Sequence, residues 1–408
     1  MQYSSQFCSI YIILFIKNVL VGFGDHLQNL RIVTMWIFSC IGKLFFVVVT
    51  LSALVIGFLN SDASTPLFQY LDQYETERGH RFLGICPAFH TGKTWGFTHE
   101  DLARLDLTGQ TIFVTGANVG LGYWTAHHLA NTGAHVILGC RSKRKCDAAV
   151  DSIRKATGKD SSVTGMVVDL GDFSSVRAFA EQFSQEYSEL DSLVLNAGIM
   201  VPPFSLTVDG IESQIAVNHF GHFLLAELMM PLLLKAAKKR GVATVVSVSS
   251  SASFGSYPEG ILPTLEEMNN KDRYQRKLAY GQSKLANVLF AQELAERYKD
   301  QNILVNSCHP GAVRTELGRH MMESVTNEHV KAVIQSSFEY VFGKIAWKPE
   351  DAALTQLYAA VSPELKKAKI TGKYFHPIAR QIQPDPHARN MSLQKSLWKL
   401  SEEATALK

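Results

Sequence analysis

Tyr280 and Lys284 are the two residues of this sequence whose types and spacing most directly suggest chemistry. They lie four residues apart in a segment with a helical pattern, so both side chains should project from one face. A phenol has an unperturbed pKa of about 10, but a neighbouring ammonium favours the phenolate and lowers that pKa. The pair therefore predicts an acid/base device for interconverting an alcohol and a carbonyl. An exposed polar helix face would show the same spacing. The motifs in the rest of the chain therefore have to distinguish an acid/base pair from an ordinary surface helix.

Composition excludes several classes of protein. The chain has 408 residues, of which 46% are apolar and 19% charged, as is typical of a globular protein. The net charge of +3 does not indicate a nucleic-acid partner, which usually requires a concentrated basic face. The six cysteines are scattered without the spacing of metal ligands, so we expect reduced thiols, no disulfide framework and no metal site.

The N-terminal segment, residues 1–63, differs from the rest of the chain. It holds two apolar runs, Ile10–Phe23 and Met35–Leu59, and the second reaches the roughly 20 residues that span a bilayer as a helix. A membrane anchor, a cleaved signal peptide ending near Ser61 and Ala63, and a buried helix all fit this pattern. The first two direct the chain to the endoplasmic reticulum or another endomembrane. The charges favour a luminal domain and the cysteines a cytosolic one, so orientation stays open.

A glycine-rich turn follows a polar connector at residues 64–108. The β-branched run Thr111–Thr115 predicts a buried strand, and an apolar helical stretch begins shortly after it. Glycines between the two allow the backbone to approach a pyrophosphate closely, at a helix N-terminus that favours negative charge. A turn without a ligand is the alternative. The cofactor-binding residues predicted here are Thr115, Gly116, Asn118, Gly120, Leu121 and Gly122.

Arg141 follows the second predicted strand, His135–Gly139, where NAD-binding folds usually carry an acid for the ribose. A guanidinium can bind a 2′-phosphate in bidentate fashion, whereas a carboxylate would repel it. We therefore predict NADP(H) as the cofactor. An exposed basic loop would contain the same residues.

Further strands alternate with helical patterns along the chain. This order predicts an α/β fold, a doubly wound parallel sheet of the Rossmann type, in a single catalytic domain over residues 109–400. Asp169 at the end of the third strand could reach the adenine, and small residues after the fourth would let the cofactor cross the sheet edge. The later strands are expected at Val163–Val168, Leu190–Leu195, Thr244–Val248 and Ile303–Cys308, with Asn196, Ala197 and Gly198 after the fourth.

Taken in order, these motifs resemble the short-chain dehydrogenase/reductase family over roughly residues 108–400. Within it they resemble the retinol dehydrogenases and the oxidoreductase domain of the WW-domain-containing oxidoreductase, although no WW domain is visible. The motifs that carry the resemblance are Thr115–Gly122, Asn196–Gly198, Asn218, the serine run Ser249–Ser251, Tyr280 with Lys284, and His309–Gly311.

The resemblance implies a role for each catalytic residue. Tyr280 would exchange a proton with the substrate oxygen, and Lys284 would lower its pKa and hold the nicotinamide ribose. Ser250 would bind the substrate oxygen, and Asn218 would hold a water that links Lys284 to solvent. Hydride would pass directly between cofactor and substrate, so no metal is expected. Pro310, Gly311 and Thr315 would cover the nicotinamide.

Some assignments are less direct. Ser250 is chosen among several neighbouring serines, Ser247 to Ser253. His219 and His222 lie three apart on a helix but have no third ligand, so a metal there is not expected. The insert Ser256–Lys277 should form a surface excursion near the cleft, and residues 316–348 should form an apolar substrate lid.

The resulting expectation is a membrane-associated NADP(H)-dependent oxidoreductase for a lipophilic alcohol or carbonyl, such as a retinoid, steroid or other lipid, with homodimer formation. One alternative is a cofactor-binding regulatory or scaffolding protein without turnover. The other is a reductase of another class, acting for example on a pigment precursor or a quinone.

Overall fold

The structure is a computed structural model that describes residues 96–157, 162–313 and 346–407. The chain divides into two units, Met1–Pro66 and Leu67–Lys408, and every described residue belongs to the second. The predicted hydrophobic segment, Thr315 and most of the predicted lid lie outside the described residues.

An eight-stranded sheet forms the centre of the described domain, in the order β3-β2-β1-β4-β5-β6-β7-β8. Pairing is parallel from β3 through β7, and only the edge strand β8 runs antiparallel to its neighbour. The predicted doubly wound parallel sheet is confirmed. The strands are β1 Thr111–Thr115, β2 His135–Cys140, β3 Val163–Val167, β4 Ser192–Leu195, β5 Ala243–Val248, β6 Ile303–Cys308, β7 Tyr374–His376 and β8 Arg380–Ile382.

Helices connect the strands and cover both faces of the sheet. A π-helical turn, Ala216–Phe220, joins the short α5 to the long α6. The helices are α1 His99–Ala103, α2 Gly120–Asn131, α3 Lys143–Thr157, α4 Phe173–Glu186, α5 Ser213–Ile215, α6 Gly221–Arg240, α7 Leu265–Met268, α8 Arg276–Arg297, α9 Pro349–Val361, α10 Pro363–Ala368 and α11 Met391–Ala404.

Alternating side chains of the buried strands pack into two separate hydrophobic cores, one on each face of the sheet. In β1, Phe113 packs with the core shared by α4, α6, α8 and α11, whereas Ile112 and Val114 pack with the core shared by α2, α3 and α9. This is the period of two expected of a strand covered on both faces, and it explains why the strand sequences are continuously apolar.

The segment Ser213–Arg240 is, among the described residues, the helical stretch long and apolar enough to cross a membrane. However, 72% of its most apolar window is buried inside the domain. Its hydrophobicity is therefore explained by packing against the sheet and α8, as in the core helix of a globular protein.

Two boundaries differ from the sequence predictions, and one predicted surface segment is partly buried. Residues 97–108, predicted as connector, belong to the domain, since Phe97 and Leu102 are buried in its core. The insert Ser256–Lys277 lies at the surface as predicted, with Asn270, Lys271 and Asp272 exposed, but Tyr257 and Leu262 anchor it in the larger core. The domain also continues past residue 400, to the end of α11.

The cysteine prediction was wrong at one place. Cys140 and Cys146 form a disulfide, with Cα atoms 5.7 Å apart, although their spacing resembled no disulfide framework. The end of β2 and the first turn of α3 meet there, which brings two residues six positions apart into contact. Cys308 is a free, buried thiol.

Candidate active site

The predicted site residues converge on the carboxyl edge of the sheet. β1 pairs with β2 on one side and with β4 on the other, so the strand order reverses between β1 and β4. Open α/β sheets bind ligands in the crevice that such a reversal creates. The loops after β1, β2, β3 and β4, which carry the predicted cofactor residues, all open onto this edge.

The turn after β1 fits a pyrophosphate. Gly116 has a φ of +65°, and a Cβ on Gly122 would lie 2.4 Å from the main-chain oxygen of Gly116, so neither position tolerates a side chain. α2 begins at Gly120 without a side-chain cap, which leaves its first N–H groups open to an anion. Asn118 and Leu121 are half-buried in the same turn.

Hydrogen bonds between Thr115 and Asn196 hold the start of this turn against the end of β4. Asn196 Nδ2 donates to the main-chain oxygen of Thr115 at 2.8 Å, and its Oδ1 accepts from Gln356 Nε2 at 3.3 Å. The main-chain N–H groups of Asn196 and Ala197 both donate to the Thr115 hydroxyl. Gln356 was not predicted, because it lies 160 residues beyond Asn196 and only tertiary contact brings the two together.

Arg141 and Asp169 flank the place predicted for the adenosine. Arg141 is exposed directly after β2, while the nearby Lys143 is paired with Asp147 at 2.8 Å. Asp169 Oδ1 accepts from the main-chain N–H of Gly171 at 2.9 Å, which orients its carboxylate just beyond β3. The arrangement leaves the guanidinium accessible to a phosphate group.

Tyr280 and Lys284 both lie buried on one face of α8, with Lys284 Nζ 5.8 Å from the centre of the Tyr280 ring. Lys284 Nζ donates to the main-chain oxygen of Val248 at 3.1 Å. Burial raises the pKa of Tyr280 to about 12 and lowers the pKa of Lys284 to about 8. For the tyrosine, this direction is opposite to the one expected from the pair alone, because burial disfavours every charged form.

Ser250 is the serine that faces Tyr280. A hydrogen bond from its hydroxyl lowers the pKa of Tyr280, against the larger effect of burial. The neighbouring Ser249 is buried and donates instead to the main-chain oxygen of Lys284 at 2.6 Å, and Ser253 is buried away from solvent. The geometry therefore supports the choice of Ser250 over these two.

Asn218 lies in the π-helical turn, and both the oxygen and the nitrogen of its side-chain amide are hydrogen-bonded within the protein. Its Nδ2 donates to the main-chain oxygen of Ile199 and to Ser283 Oγ, and its Oδ1 accepts from the N–H of Ile199 at 2.8 Å. A Cβ on Gly198 would lie 3.2 Å from Asn218 Oδ1 and 3.4 Å from Lys284 Nζ. Glycine at this position thus lets the two side chains approach each other beside the crevice.

The loop after β6 closes the far side of the site. Gly311 has a φ of +95°, and a Cβ there would meet Trp347 and Pro377, while the preceding Pro310 is buried. His309 Nδ1 accepts from the N–H of Gly311 at 3.3 Å. Burial lowers the pKa of His309 to about 3, so the ring stays neutral, consistent with the structural role predicted for it.

His309 also has a neighbour that was not predicted. Its ring meets the ring of His376, on β7, edge to face at a centroid distance of 4.9 Å. β7 has only three residues, too few to show a periodic pattern in the sequence. Within the described ranges, no group of three or more histidine, cysteine or acidic side chains is arranged to hold a metal ion.

The fold and this site define a class of protein. Residues 110–262 match the model of the short chain dehydrogenase family, and residues 217–336 match that of the NAD dependent epimerase/dehydratase family. The chain belongs to the short-chain dehydrogenase/reductase family. It is an oxidoreductase acting on CH–OH groups, and it binds a nicotinamide cofactor.

Known relatives match most of the chain. Retinol dehydrogenase 14 of Homo sapiens is 37% identical over 311 residues, which cover 73% of this chain and 87% of the relative. Retinol dehydrogenase 13 of Homo sapiens is 37% identical over 306 residues, covering 75% and 87%. A crystal structure of an uncharacterized protein from Mycobacterium Paratuberculosis has a TM-score of 0.55 and 34% identity, covering 76% of this chain and 98% of that one.

Proposed function

We propose that the chain is an NADP(H)-dependent oxidoreductase that interconverts a lipophilic alcohol and its aldehyde or ketone, with Tyr280 as the acid/base. The observation that carries the proposal is the convergence of the Ser250 hydroxyl on the Tyr280 phenol, with Lys284 one helical turn away, at the sheet edge that also holds the glycine turn.

The residues of the crevice fit a dinucleotide. Gly116 and Gly122 leave room for a pyrophosphate against the open N-terminus of α2, and Lys284 lies within reach of a ribose at the inner end. When bound in its reduced form, the cofactor supplies a hydride to the carbonyl carbon.

The side chains supply the proton. As the carbonyl carbon accepts the hydride, its oxygen gains negative charge and takes the proton of the Tyr280 hydroxyl. Ser250 donates a hydrogen bond to the same oxygen and stabilises the developing charge. Lys284 stabilises the phenolate that forms, and solvent returns the proton. In the direction of alcohol oxidation the phenolate accepts the alcohol proton, so both directions use one set of groups.

The preference for NADP(H) is supported by Arg141. Its guanidinium is exposed at the end of β2, where a carboxylate would accompany NAD. A guanidinium matches a 2′-phosphate in charge and in bidentate geometry.

The lipophilic substrate class is supported by the names of the relatives, two of which are retinol dehydrogenases. It is also supported by the apolar residues of the predicted lid, among them Met321, Met322 and Phe338. A retinoid, a steroid or another lipid aldehyde fits this description.

The hydrophobic segment 1–63 anchors the chain in an endomembrane such as the endoplasmic reticulum. Its second apolar run is long enough to span a bilayer, and a lipophilic substrate partitions into the same phase. The full chain should stay with membranes after an alkaline wash, and recovery in the soluble fraction would contradict the anchor. Homodimer formation stays a prediction.

Tyr280→Phe tests the reaction directly. Removal of the hydroxyl should lower turnover of retinal and other carbonyls by about 10²–10⁴-fold, while the dissociation constant for NADPH stays within a few fold. Tyr274→Phe is a matched control, because its hydroxyl bonds to the oxygen of Pro202 and to Gln214. Full activity of Tyr280→Phe would refute the mechanism. An inactive wild-type chain with tight NADPH binding would favour a regulatory role.

A further inference from the structure

His222 lies on α6, one turn beyond Asn218, and is fully buried at 2% exposure. Both of its ring nitrogens contact residues of the site. Nδ1 lies 3.0 Å from the main-chain oxygen of Asn218, and Nε2 lies 2.9 Å from Thr115 Oγ1. The ring therefore bridges the π-helical turn and the end of β1, two elements 103 residues apart in sequence, counted from Thr115 to Asn218.

The direction of each bond follows from the chemistry of the partners. A carbonyl oxygen only accepts, so Nδ1 carries the proton. Burial lowers the pKa of His222 to about 4, and the nearby charge of Lys284 acts in the same direction, so the ring is neutral. Nε2 is then an acceptor, and the hydroxyl of Thr115 must donate to it.

The Thr115 hydroxyl completes the chain of bonds. Its oxygen accepts from the main-chain N–H groups of Asn196 at 2.9 Å and Ala197 at 3.0 Å. The other acceptor within its reach is the oxygen of Val194 at 3.4 Å, a longer contact than the one to His222. If the proton pointed there, the lone pairs of Oγ1 and Nε2 would face each other, so the bond to His222 is the favoured one.

We infer that His222 is a positioning residue, which fixes the turn Asn196–Gly198 against β1 and, through the same ring, the main-chain carbonyl of Asn218. The turn forms a wall of the cofactor crevice, since Ala197 lies against Gly116 and Gly198 lies beside both Asn218 and Lys284. One neutral imidazole thus joins the cofactor side of the site to its lysine side. This inference rests on the proposed function only for the identity of the ligand.

The two halves of the bridge can be removed separately. His222→Asn places an amide near Nδ1, where it can donate to Asn218 but cannot reach Thr115. His222→Gln places its amide oxygen near Nε2, where it can accept from Thr115. His222→Leu removes both bonds at similar volume. Thr115→Val removes the hydroxyl with nearly unchanged shape, and Thr115→Ser keeps it.

The primary readout is the dissociation constant for NADPH, measured by titration calorimetry on the full chain, with thermal unfolding measured in parallel. His222→Asn should weaken binding about tenfold, the scale of one buried hydrogen bond. His222→Leu and Thr115→Val should weaken it at least as much, because each removes further hydrogen bonds. His222→Gln and Thr115→Ser should stay within about threefold of the wild type. The loss of NADPH affinity in the double variant His222→Leu/Thr115→Val should be smaller than the sum of the two single losses, because the bond between His222 and Thr115 is removed in both single variants.

Two outcomes would overturn the inference. One is equal NADPH affinity in His222→Gln and His222→Asn. The other is a lower unfolding temperature in all His222 variants with unchanged affinity for NADPH, which would show that His222 contributes only to packing. If His222→Leu does not fold, the comparison of His222→Gln with His222→Asn still tests the inference, because both variants leave the bonds from Asn196 and Ala197 to Thr115 in place. The readout does not involve turnover, so failure of the proposed reaction and failure of this inference are distinguishable.

Discussion

Lys284 Nζ lies 5.8 Å from the centre of the Tyr280 ring, yet its hydrogen bond goes to the main-chain oxygen of Val248, 3.1 Å away. Both side chains are buried, and burial favours the neutral form of each, since it raises the pKa of the phenol and lowers that of the amine. The pair is thus held as a protonated tyrosine and a lysine close to its titration range, ready to exchange a proton.

Lys284→Met should stabilise the fold at pH 7, because the buried ammonium is costly. A pKa lowered from 10.5 to about 8 corresponds to roughly 3 kcal/mol at about 1.4 kcal/mol per pKa unit. Between pH 8 and 10.5 the unfolded wild type binds more protons than the folded one, so wild-type stability rises and the advantage of methionine fades. Urea unfolding from pH 7 to pH 10 measures this.

The loss of one hydrogen bond should not obscure the effect of Lys284→Met, since Asn287 Nδ2 also donates to the oxygen of Val248, at 3.0 Å. Turnover should be lost in the same variant. A stability difference that stays constant across the pH range would show that the lysine is not buried in its charged form.

Ser250→Ala and Ser249→Ala should differ in their effect on kcat. Ser250 faces Tyr280, so its loss should lower kcat by about 10²-fold. Its hydroxyl also accepts from the N–H of Ala252 at 3.1 Å, so the same change should cost about 1 kcal/mol of stability. Ser249 donates to the main-chain oxygen of Lys284, so its loss should cost about 1–2 kcal/mol of stability and leave kcat within a few fold. Steady-state kinetics separate the two variants, urea unfolding measures the cost of each lost bond, and exchanged effects on kcat would assign the catalytic role to Ser249.

Arg141→Ala should raise KM for NADPH about tenfold and leave KM for NADH nearly unchanged, because only the phosphorylated ribose meets the guanidinium. Arg144→Ala serves as the control, since Arg144 is also exposed and lies nearby, in the first turn of α3. Equal effects of the two variants would indicate general attraction by the basic loop rather than a specific phosphate contact. Initial rates with both cofactors provide the measurement.

Trp398→Ala should destabilise the domain by about 3–5 kcal/mol, the usual cost of truncating a large buried aromatic residue. Trp398 packs edge to face on Phe223 at 4.9 Å, stacks with Phe290, and lies 4.0 Å from the Arg297 guanidinium. Lys395→Ala on the exposed face of α11 should change the free energy of unfolding by less than about 0.5 kcal/mol. A small effect of Trp398→Ala would mean that α11 contributes little to the core.

Much of the fold was predictable because the signals are local. Thr111–Thr115 and Ile303–Cys308 were located to the residue by their apolar runs, and the alternation of strands and helices predicted the parallel sheet. β7 and β8 were missed because three residues carry no periodicity. α11 lay partly beyond the predicted domain end at residue 400, since only its contacts with Phe223 and Phe290 show that it belongs to the core.

By itself the sequence determined the class of fold, the glycine turn, the helical spacing of Tyr280 and Lys284, and the family. Each of these depends on residue type and short spacing, which a chain carries before it folds. Only the tertiary structure decided that burial raises the pKa of Tyr280, that Ser250 and not Ser249 faces it, and that Cys140 meets Cys146. It also decided that His222 bridges Thr115 and Asn218. Burial and hydrogen-bond partners depend on segments far apart in sequence, so no local pattern could show them.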